Sequence, residues 1–478
     1  MPNFDFHSYL IAFELLALAF GVLIALLMIG DVLKQRRAPA TTAAWLLVLV
    51  ALPYVGVFTY MLFGARKLAR PRHRLGRLPA ASYPVVEEAQ AHPMDLLLRG
   101  LGVSGAVDGH RVNIHTCPEH AFSDLIALIR SAKTRVLIDV YNLDGDCIGA
   151  QVFAALTERA AAGVEVKVLV DDIGSIALRS TAARTLRQAG GQLIRFRPVT
   201  RLMALRVANL RNHRKIIVID SQFAWSGGRN IAKSYFSALD VPNAWQDFSF
   251  SIEGPAARAL ENIALSDWQF ATGQRLSPAV ADTHNAALSE PPIRGELARI
   301  NARVQIVPSG PDMRDDTWYS AVLSACFTAQ RRLWLVTPYF VPDEALQNAL
   351  ALAARRGVEV LIVVPKRSDN RIIDWVRMNY LRELGHCGAQ LYFYKPRMLH
   401  AKLVLIDDSA AAAGTANLDA RSLFLNYEVM TIFYSHTEIA AIGSYIRALL
   451  PDCDQRIKRV GWLRDTLSAP LRLLAPLL

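Results

Sequence analysis

The chain of 478 residues is too long for one ordinary hydrophobic core, so several structural parts are expected. Its apolar fraction of 52% is high for a purely soluble protein, while its 20% of charged residues excludes a chain buried throughout in lipid. A formal net charge of +11 favours an anionic partner, either lipid headgroups or nucleic acid. Five scattered cysteines, with no Cys-x-x-Cys pair, support neither a disulfide framework nor a zinc site.

Two apolar runs near the N-terminus predict a transmembrane helical hairpin. The first, from Tyr9 to Ile29, has about the length of one bilayer crossing, and the second extends from Ala43 to Phe63. Residues 1–8 contain no Lys or Arg, which argues against a cleaved signal peptide. Six Lys or Arg lie in residues 64–77 against three in residues 30–42, so the body of the protein is predicted to be cytoplasmic.

From about residue 108 the chain looks duplicated. A strand-like apolar run begins at Arg135 and a similar one at Arg332, and the helical stretch after each ends at the same tetrapeptide, GVEV, with Gly163 and Gly357 as stop signals. A further apolar run follows each GVEV. Alternation of strand, helix and strand predicts an α/β fold with mixed, mostly parallel sheets flanked by helices.

The repeat becomes regular at a His-x-Lys-(x)4-Asp motif that occurs twice. Its members, together with a following glycine and asparagine, repeat at a constant offset of 187 residues: His213, Lys215, Asp220, Gly227 and Asn230 match His400, Lys402, Asp407, Gly414 and Asn417. One such motif has a substantial chance of meaning nothing, but two in register are hard to explain without function. They predict two homologous lobes.

The residue types of the motif indicate phosphodiester chemistry. Residues two apart on a strand point the same way, so each histidine lies beside its lysine. Lysine can neutralise phosphoryl oxygens, histidine can attack phosphorus or move a proton, and the asparagine amides can donate to the same anion. With pseudo-twofold packing, the two halves would meet around a single phosphate.

The duplicated motif resembles the signature of the phospholipase D superfamily, and the resemblance covers about residues 108 to 450. It implies that one histidine forms a phosphohistidine and the other protonates the leaving group, in either order, without a metal or other cofactor. The residues that it implicates in catalysis are His213, Lys215, Asp220, His400, Lys402 and Asp407, the two aspartates being mainly structural. It implies that the phosphate is bound by Asn230, Asn417, Gly228 and Thr415. It also implies that Asp247 and Glu428, which break the 187 offset, orient the histidines.

Within that superfamily the chain is similar to bacterial cardiolipin synthases, which combine a two-span hairpin with segments like its TPYFVPD, GTANLDARS and FLNYEV. Ser221 departs from the glycine that is common there. The resemblance implies a phosphatidyltransferase of the bacterial inner membrane, multi-pass, that joins two phosphatidylglycerols into cardiolipin and releases glycerol. A membrane-bound phospholipase D that hydrolyses phospholipids is the nearest alternative. A membrane-tethered nuclease is the next, although no nucleic-acid partner is expected.

These expectations give a domain plan of six parts. They are a short N-terminus (1–8), the two-span hairpin (9–63), a basic juxtamembrane linker (64–107), a first phospholipase D-like lobe (108–290), a second lobe (291–450) and a basic amphipathic C-terminal tail (451–478). The tail is as well explained by packing on the body as by contact with a lipid surface. The sequence does not determine the oligomeric state.

Overall fold

The computed structural model of the protein describes residues 6–34, 39–64, 87, 91–178, 180–198, 209–277 and 300–455. The chain divides into two units, one of Met1–Leu68 with Pro198–Leu210 and the other of Ala69–Arg197 with Arg211–Leu478. Most of the predicted juxtamembrane linker, and the predicted tail beyond residue 455, lie outside the described residues.

The described part of the first unit contains three apolar helices, which are α1 (Phe6–Lys34), α2 (Pro39–Ala51) and α3 (Pro53–Phe63). Among the described residues, one segment, Glu14–Leu33 within α1, is long and apolar enough to cross a membrane. The first predicted span therefore has a counterpart in the structure, about as long as a bilayer crossing requires.

The second predicted span is not one helix. The ring centroids of Trp45 and Tyr60 lie 5.1 Å apart, whereas 15 residues of continuous helix would separate them by about 22 Å. The chain turns back at Leu52, whose φ of −136° and ψ of 69° are not helical, because Pro53 disfavours the helical conformation in the residue before it. A two-helix hairpin is thus not confirmed.

The second unit begins with α4 (Pro93–Gly100) and continues with two halves that repeat each other. The elements of the first half are β1 (Val107–His115), α5 (Pro118–Ser131), β2 (Arg135–Val140), α6 (Cys147–Ala161), β3 (Glu165–Asp171), α7 (Ser180–Gln188), β4 (Gln192–Phe196), β5 (Lys215–Ile219), β6 (Phe223–Gly227), α8 (Lys233–Phe236), β7 (Ser249–Glu253) and α9 (Pro255–Thr272). Those of the second half are β8 (Ile300–Ser309), α10 (Thr317–Thr328), β9 (Arg332–Val336), β10 (Phe340–Val341), α11 (Glu344–Arg355), β11 (Glu359–Pro365), α12 (Arg371–His386), β12 (Gln390–Tyr394), β13 (Leu403–Ile406), β14 (Ala410–Gly414), β15 (Leu418–Asp419), α13 (Ala420–Phe424), β16 (Glu428–Phe433), α14 (His436–Leu449) and β17 (Cys453–Asp454).

The two halves share one sheet. Its strand order is β17-β12-β11-β9-β13-β14-β16-β8-β1-β7-β6-β5-β2-β3-β4, so the order in one half mirrors the order in the other about the β8–β1 seam. At this seam the two strands pair antiparallel, and the ring of Phe250 on β7 lies 5.3 Å from the ring of Phe433 on β16. The predicted lobes are therefore two halves of one continuous sheet, and separate lobes are not confirmed.

The prediction of a mostly parallel sheet is wrong. Among the described strands of the large sheet, β2, β3 and β4 run parallel, as do β9, β11 and β12. The other adjacent pairs in this sheet are antiparallel. The reason is that a helix lies in each connection between parallel neighbours of this sheet, whereas β5–β6 and β13–β14 are joined by tight turns, which favour antiparallel pairing.

The two GVEV segments end helices in the same way. Gly163 and Gly357 have φ of 89° and 88°, a left-handed conformation in which glycine avoids a steric penalty. In each case the following valine N–H donates to a carbonyl of the last helical turn, from Val164 to Arg159 and from Val358 to Ala353. This is the Schellman pattern, and it starts β3 and β11 at matching positions.

Candidate active site

His213 and His400 open onto one cleft of about 630 Å³. Each lies just before a strand, β5 or β13, and each is tied to the other half by its main chain. The His213 N–H donates to the Tyr427 carbonyl at 2.9 Å, and the His400 N–H donates to the Gln246 carbonyl at 2.7 Å. The two motifs therefore face the same space because each is hydrogen-bonded to a segment of the opposite half.

The histidine-orienting carboxylates are exchanged between the halves. His213 Nδ1 lies 3.0 Å from both carboxylate oxygens of Glu428, and His400 Nδ1 lies 2.7 Å from Asp247 Oδ2. Both carboxylates are fully buried. Glu428 immediately follows Tyr427, and Asp247 immediately follows Gln246, so each carboxylate is next to the carbonyl that accepts from a histidine N–H. The main-chain contacts therefore also determine which carboxylate meets which ring.

Burial governs the protonation of both rings. It lowers the pKa of His400 to about 3, with Lys402 acting in the same direction and Asp247 opposing. Burial also lowers the pKa of His213, against the opposing charge of Glu428. A neutral imidazole offers the lone pair that attack on phosphorus requires, and the carboxylate behind Nδ1 stabilises the cation that forms when Nε2 gains a proton or a bond to phosphorus.

Both motif lysines are buried beside their histidines. Lys215 Nζ donates to the His213 carbonyl at 3.0 Å, and Lys402 Nζ lies 2.9 Å from each ring nitrogen of His400. Burial lowers the pKa of Lys215 to about 8 and that of Lys402 to about 7, although nearby carboxylates raise both. Two buried ammonium groups beside the histidines of the cleft favour a bound anion nearby.

The two motif asparagines line the same cleft. Asn230 Nδ2 donates to the Tyr235 hydroxyl at 2.7 Å, and Asn417 lies beside Asp419. The amide oxygens of both asparagines are buried and have no hydrogen-bond partner among the described residues. Contact with a bound phosphate would use the amide nitrogens, because an amide oxygen cannot donate to an anion, and it stays a prediction.

Gly228 and Thr415 support the carboxylates instead of facing the cleft. A side chain at Gly228 would overlap Asp247 Oδ1, so glycine is required for the carboxylate to reach its position. The Thr415 hydroxyl donates to Glu428 Oε2 at 2.5 Å and accepts from the Val429 N–H. Neither residue is among those that line the cleft, and the direct phosphate contacts expected for both stay predictions.

Asp220 and Asp407 do not reach the cleft. The carboxylate of Asp220 accepts the backbone N–H groups of Lys133, Thr134 and Arg135 at 2.8 Å, and Asp407 accepts those of Gln330, Arg331 and Arg332 at 2.8 to 3.1 Å. These contacts lie at the start of β2 and β9. Although grouped above with the catalytic residues, both aspartates are placed to stabilise neighbouring strands.

The sequence reasoning missed the aromatic rings around the histidines. The Tyr141 ring packs edge-on against His213 at 4.9 Å, while the rings of Tyr235 and Trp245 lie 5.2 Å from His400. All three line the cleft. Proximity to the motifs was the available signal, since Tyr235 follows Asn230 by five residues and Trp245 precedes Asp247 by two.

Within the described part of the chain, no group of three His, Cys, Asp or Glu side chains is placed to hold a metal ion. Two histidine–carboxylate pairs are present at the cleft, and a buried lysine lies beside each of the two histidines.

Comparison with known proteins identifies the family. The family model described as "Cardiolipin synthase, PLD-like domain" matches residues 125–247 and 323–450, and "Phospholipase D-nuclease N-terminal" matches residues 23–64. The major cardiolipin synthase of Bacillus subtilis (strain 168) is 31% identical over 483 residues, covering 96% of this chain and 98% of the relative. The chain belongs to the family of phospholipase D-like cardiolipin synthases. Cardiolipin synthase 1 of Bacillus cereus, another relative, is 33% identical over 416 residues, covering 84% of this chain and 81% of the relative.

A solved structure supports the fold of this cardiolipin synthase family member. The phosphatidylserine synthase of Haemophilus influenzae Rd KW20 aligns with a TM-score of 0.55 at 15% identity, covering 76% of this chain and 91% of that protein. At this identity the likeness concerns the fold alone. The large mixed α/β sheet with its flanking helices is thus a phospholipase D-like fold.

Proposed function

We propose that the protein is a cardiolipin synthase that transfers the phosphatidyl group of one phosphatidylglycerol to a second and releases glycerol. The observation that carries this proposal beyond the family is the pair of exchanged histidine–carboxylate contacts, His213 with Glu428 and His400 with Asp247, at one cleft. Two histidines and two lysines around one phosphate suit a double displacement.

In the first step, Nε2 of one histidine attacks phosphorus, the bond from phosphorus to the glycerol oxygen breaks, and the other histidine gives that oxygen a proton. In the second step, a hydroxyl of another phosphatidylglycerol attacks the phosphohistidine, its proton returns to the second histidine, and the phosphorus–nitrogen bond breaks. Lys215 and Lys402 neutralise the phosphoryl oxygens in both steps. Asn230 and Asn417 are proposed as additional donors to that phosphate.

Membrane attachment suits this chemistry because donor and acceptor both reside in a bilayer. We infer that α1 is one transmembrane helix and that the catalytic body faces the cytoplasm of a bacterial inner membrane, with the second span and the six-part domain plan as further proposals.

Cys147, an exposed residue, offers a test of orientation. A membrane-impermeant maleimide should leave it unlabelled in intact spheroplasts and label it after permeabilisation; labelling in intact spheroplasts would place the body outside.

The proposed reaction is tested with purified full-length protein in detergent micelles that contain EDTA. Labelled phosphatidylglycerol should yield cardiolipin and glycerol in equal amounts. Phosphatidic acid as the sole lipid product would identify a hydrolytic phospholipase D instead. Cleavage of single-stranded DNA without lipid turnover would identify a nuclease.

A further inference from the structure

The cleft is chemically different at its two ends. The near-twofold repeat allows a residue-by-residue comparison, because residues after the first motif match those after the second at an offset of 187. Near the carboxylates the offset is 181, which pairs Gln246 with Tyr427 and Asp247 with Glu428, in agreement with their equivalent contacts to the two motifs. Where the side chains at two equivalent positions differ in chemistry, the two ends of the cleft can bind different parts of a ligand.

Around His400 the cleft is lined by aromatic rings. Tyr235 and Trp245 contact the His400 ring. Ala232, three residues before Tyr235, is the third position to be compared. We call Tyr235 and Trp245 the aromatic end.

On the His213 side, where Tyr141 contacts the ring, the positions equivalent to these carry polar groups. Ala232, Tyr235 and Trp245 correspond to Asp419, Ser422 and Asn426, and all three of these polar residues line the cleft. We call them the polar end. Asn426 Nδ2 donates to Glu428 at 3.4 Å, and Glu428 orients His213, so the polar end adjoins that histidine.

Two buried polar atoms at the polar end have no hydrogen-bond partner among the described residues. Ser422 is 1% exposed and Asn426 is 6% exposed, yet Ser422 Oγ and Asn426 Oδ1 have no partner among the described residues. A buried polar atom without a partner costs roughly 1–3 kcal/mol, so two at one cleft point to a ligand that supplies the missing bonds. Since the Asn426 amide nitrogen is directed at Glu428, its oxygen is left to accept from that ligand.

Asp419 adds a third group at the polar end. One of its oxygens accepts from the Ser422 N–H at 2.7 Å. Burial raises the pKa of Asp419 to about 6, so the group is mainly ionised and accepts hydrogen bonds at neutral pH. A carboxylate, an amide oxygen and a hydroxyl together match a compound with several neighbouring hydroxyl groups, each of which can donate and accept.

We propose that the polar end, Asp419, Ser422 and Asn426, binds the glycerol moiety of phosphatidylglycerol and makes the enzyme selective for a polyol. This rests on the proposed function, in which glycerol both leaves and supplies the attacking hydroxyl. Selection would act when a hydroxyl oxygen attacks the phosphatidyl-histidine, its proton passes to the other histidine and the phosphorus–nitrogen bond breaks.

The test lets two alcohols compete for the phosphatidyl-histidine intermediate and compares the amounts of the two products. Full-length protein in detergent micelles is given phosphatidylglycerol together with equal concentrations of labelled glycerol and labelled 1-propanol, which has three carbons but one hydroxyl. Labelled phosphatidylglycerol and phosphatidylpropanol are then counted. Their ratio does not depend on how much of the protein is folded or on how fast the intermediate forms.

Wild-type protein should favour glycerol, and Ser422→Ala and Asn426→Ala should each reduce the product ratio by about threefold to tenfold, the value of one or two lost hydrogen bonds. Asp419→Asn, which retains the ability to cap α13, should also reduce it. Ser123→Ala, on the exposed surface of α5, is the matched control and should leave the ratio unchanged.

Two results would overturn the proposal: no preference for glycerol in the wild type, or an unchanged ratio in the polar-end variants that retain turnover. A purely structural role would lower both products equally. Failure of the proposed function is seen in a different measurement, in which the wild-type enzyme forms no cardiolipin from phosphatidylglycerol alone. The preference between the two alcohols could still be measured with such an enzyme.

Discussion

At the scale of single residues, we expect the buried lysines to control the attraction of an anionic headgroup. Burial lowers the pKa of Lys402 to about 7 and that of Lys215 to about 8, and a lysine is cationic only below its pKa. As pH rises through this range, the free enzyme loses the charges that attract phosphate.

We therefore expect kcat/KM, which reports on the free enzyme, to fall as pH rises above about 7. The measurement is initial rate at low phosphatidylglycerol between about pH 6 and pH 9.5. Lys395→Arg, at an exposed position, should keep the wild-type profile, and a profile that stays flat to about pH 9 would contradict a role for cationic lysines.

The motif aspartates contribute to stability through backbone amides. Asp407 accepts three N–H groups at the start of β9 and has a φ of 48°, a left-handed conformation that aspartate and asparagine tolerate better than most residues. Asp407→Ala should lower the free energy of unfolding by about 1–3 kcal/mol, and Asp407→Asn by less. Denaturant titration gives the stability change, while kcat per folded molecule should remain close to wild type. A loss of kcat above about a hundredfold with unchanged stability would instead assign a catalytic role.

Some of this residue-scale detail could be predicted and some could not. The 187-residue repeat is enough to identify both histidines, both lysines and both asparagines from the amino-acid sequence alone. Asp247 and Glu428 were recognised through the resemblance, but their exchange between halves was not predicted, since their spacing of 181 breaks the repeat. The assignment of each carboxylate depends on main-chain bonds between distant segments, which local sequence does not encode.

At the scale of secondary-structure elements, Arg214 joins parts of both halves. It lies between His213 and Lys215 within the first motif, and its fully buried guanidinium contacts Asp267 of α9 at 2.6 Å and Asp312, after β8, at 2.9 Å. These carboxylates raise the pKa of Arg214 despite its burial. The network therefore links β5 to α9 and to the second half directly behind the cleft.

Removing Arg214 alone leaves buried carboxylates without their cation, so Arg214→Met should destabilise the fold by roughly 3–5 kcal/mol. The triple variant that also carries Asp267→Asn and Asp312→Asn should recover part of that loss, because it no longer buries uncompensated charge. Denaturant titrations of the single and triple variants measure both effects. Equal destabilisation of the two variants would mean that the network contributes through packing alone.

The element-scale predictions succeeded where helices alternate with strands. The strands beginning at Arg135 and Arg332 and the glycine stops at Gly163 and Gly357 lie as expected. The antiparallel centre of the sheet was missed because β5–β6 and β13–β14 are joined by tight turns and β1 pairs with β8 across the halves, which the parallel interpretation did not consider. Pro53 was a visible signal for the turn between α2 and α3, but the apolar run around it was interpreted as one span.

At the scale of the whole molecule, duplication has produced one sheet and one cleft from two similar halves. The seam between β1 and β8 makes the sheet continuous, and the exchange of carboxylates means that neither half holds a complete histidine–carboxylate pair. We therefore expect one catalytic centre that both halves build together. Function should depend on both halves of a single chain.

A single active site shared by the two halves can be tested by measuring cardiolipin formation from labelled phosphatidylglycerol with His213→Ala and His400→Ala, each as full-length protein in EDTA. Each single variant should lose at least about a thousandfold in kcat, because residues that act as one catalytic unit fail together. His386→Ala, at an exposed histidine at the end of α12, is the control and should remain active. Retention of about half the wild-type activity by either His213→Ala or His400→Ala would contradict a single shared active site.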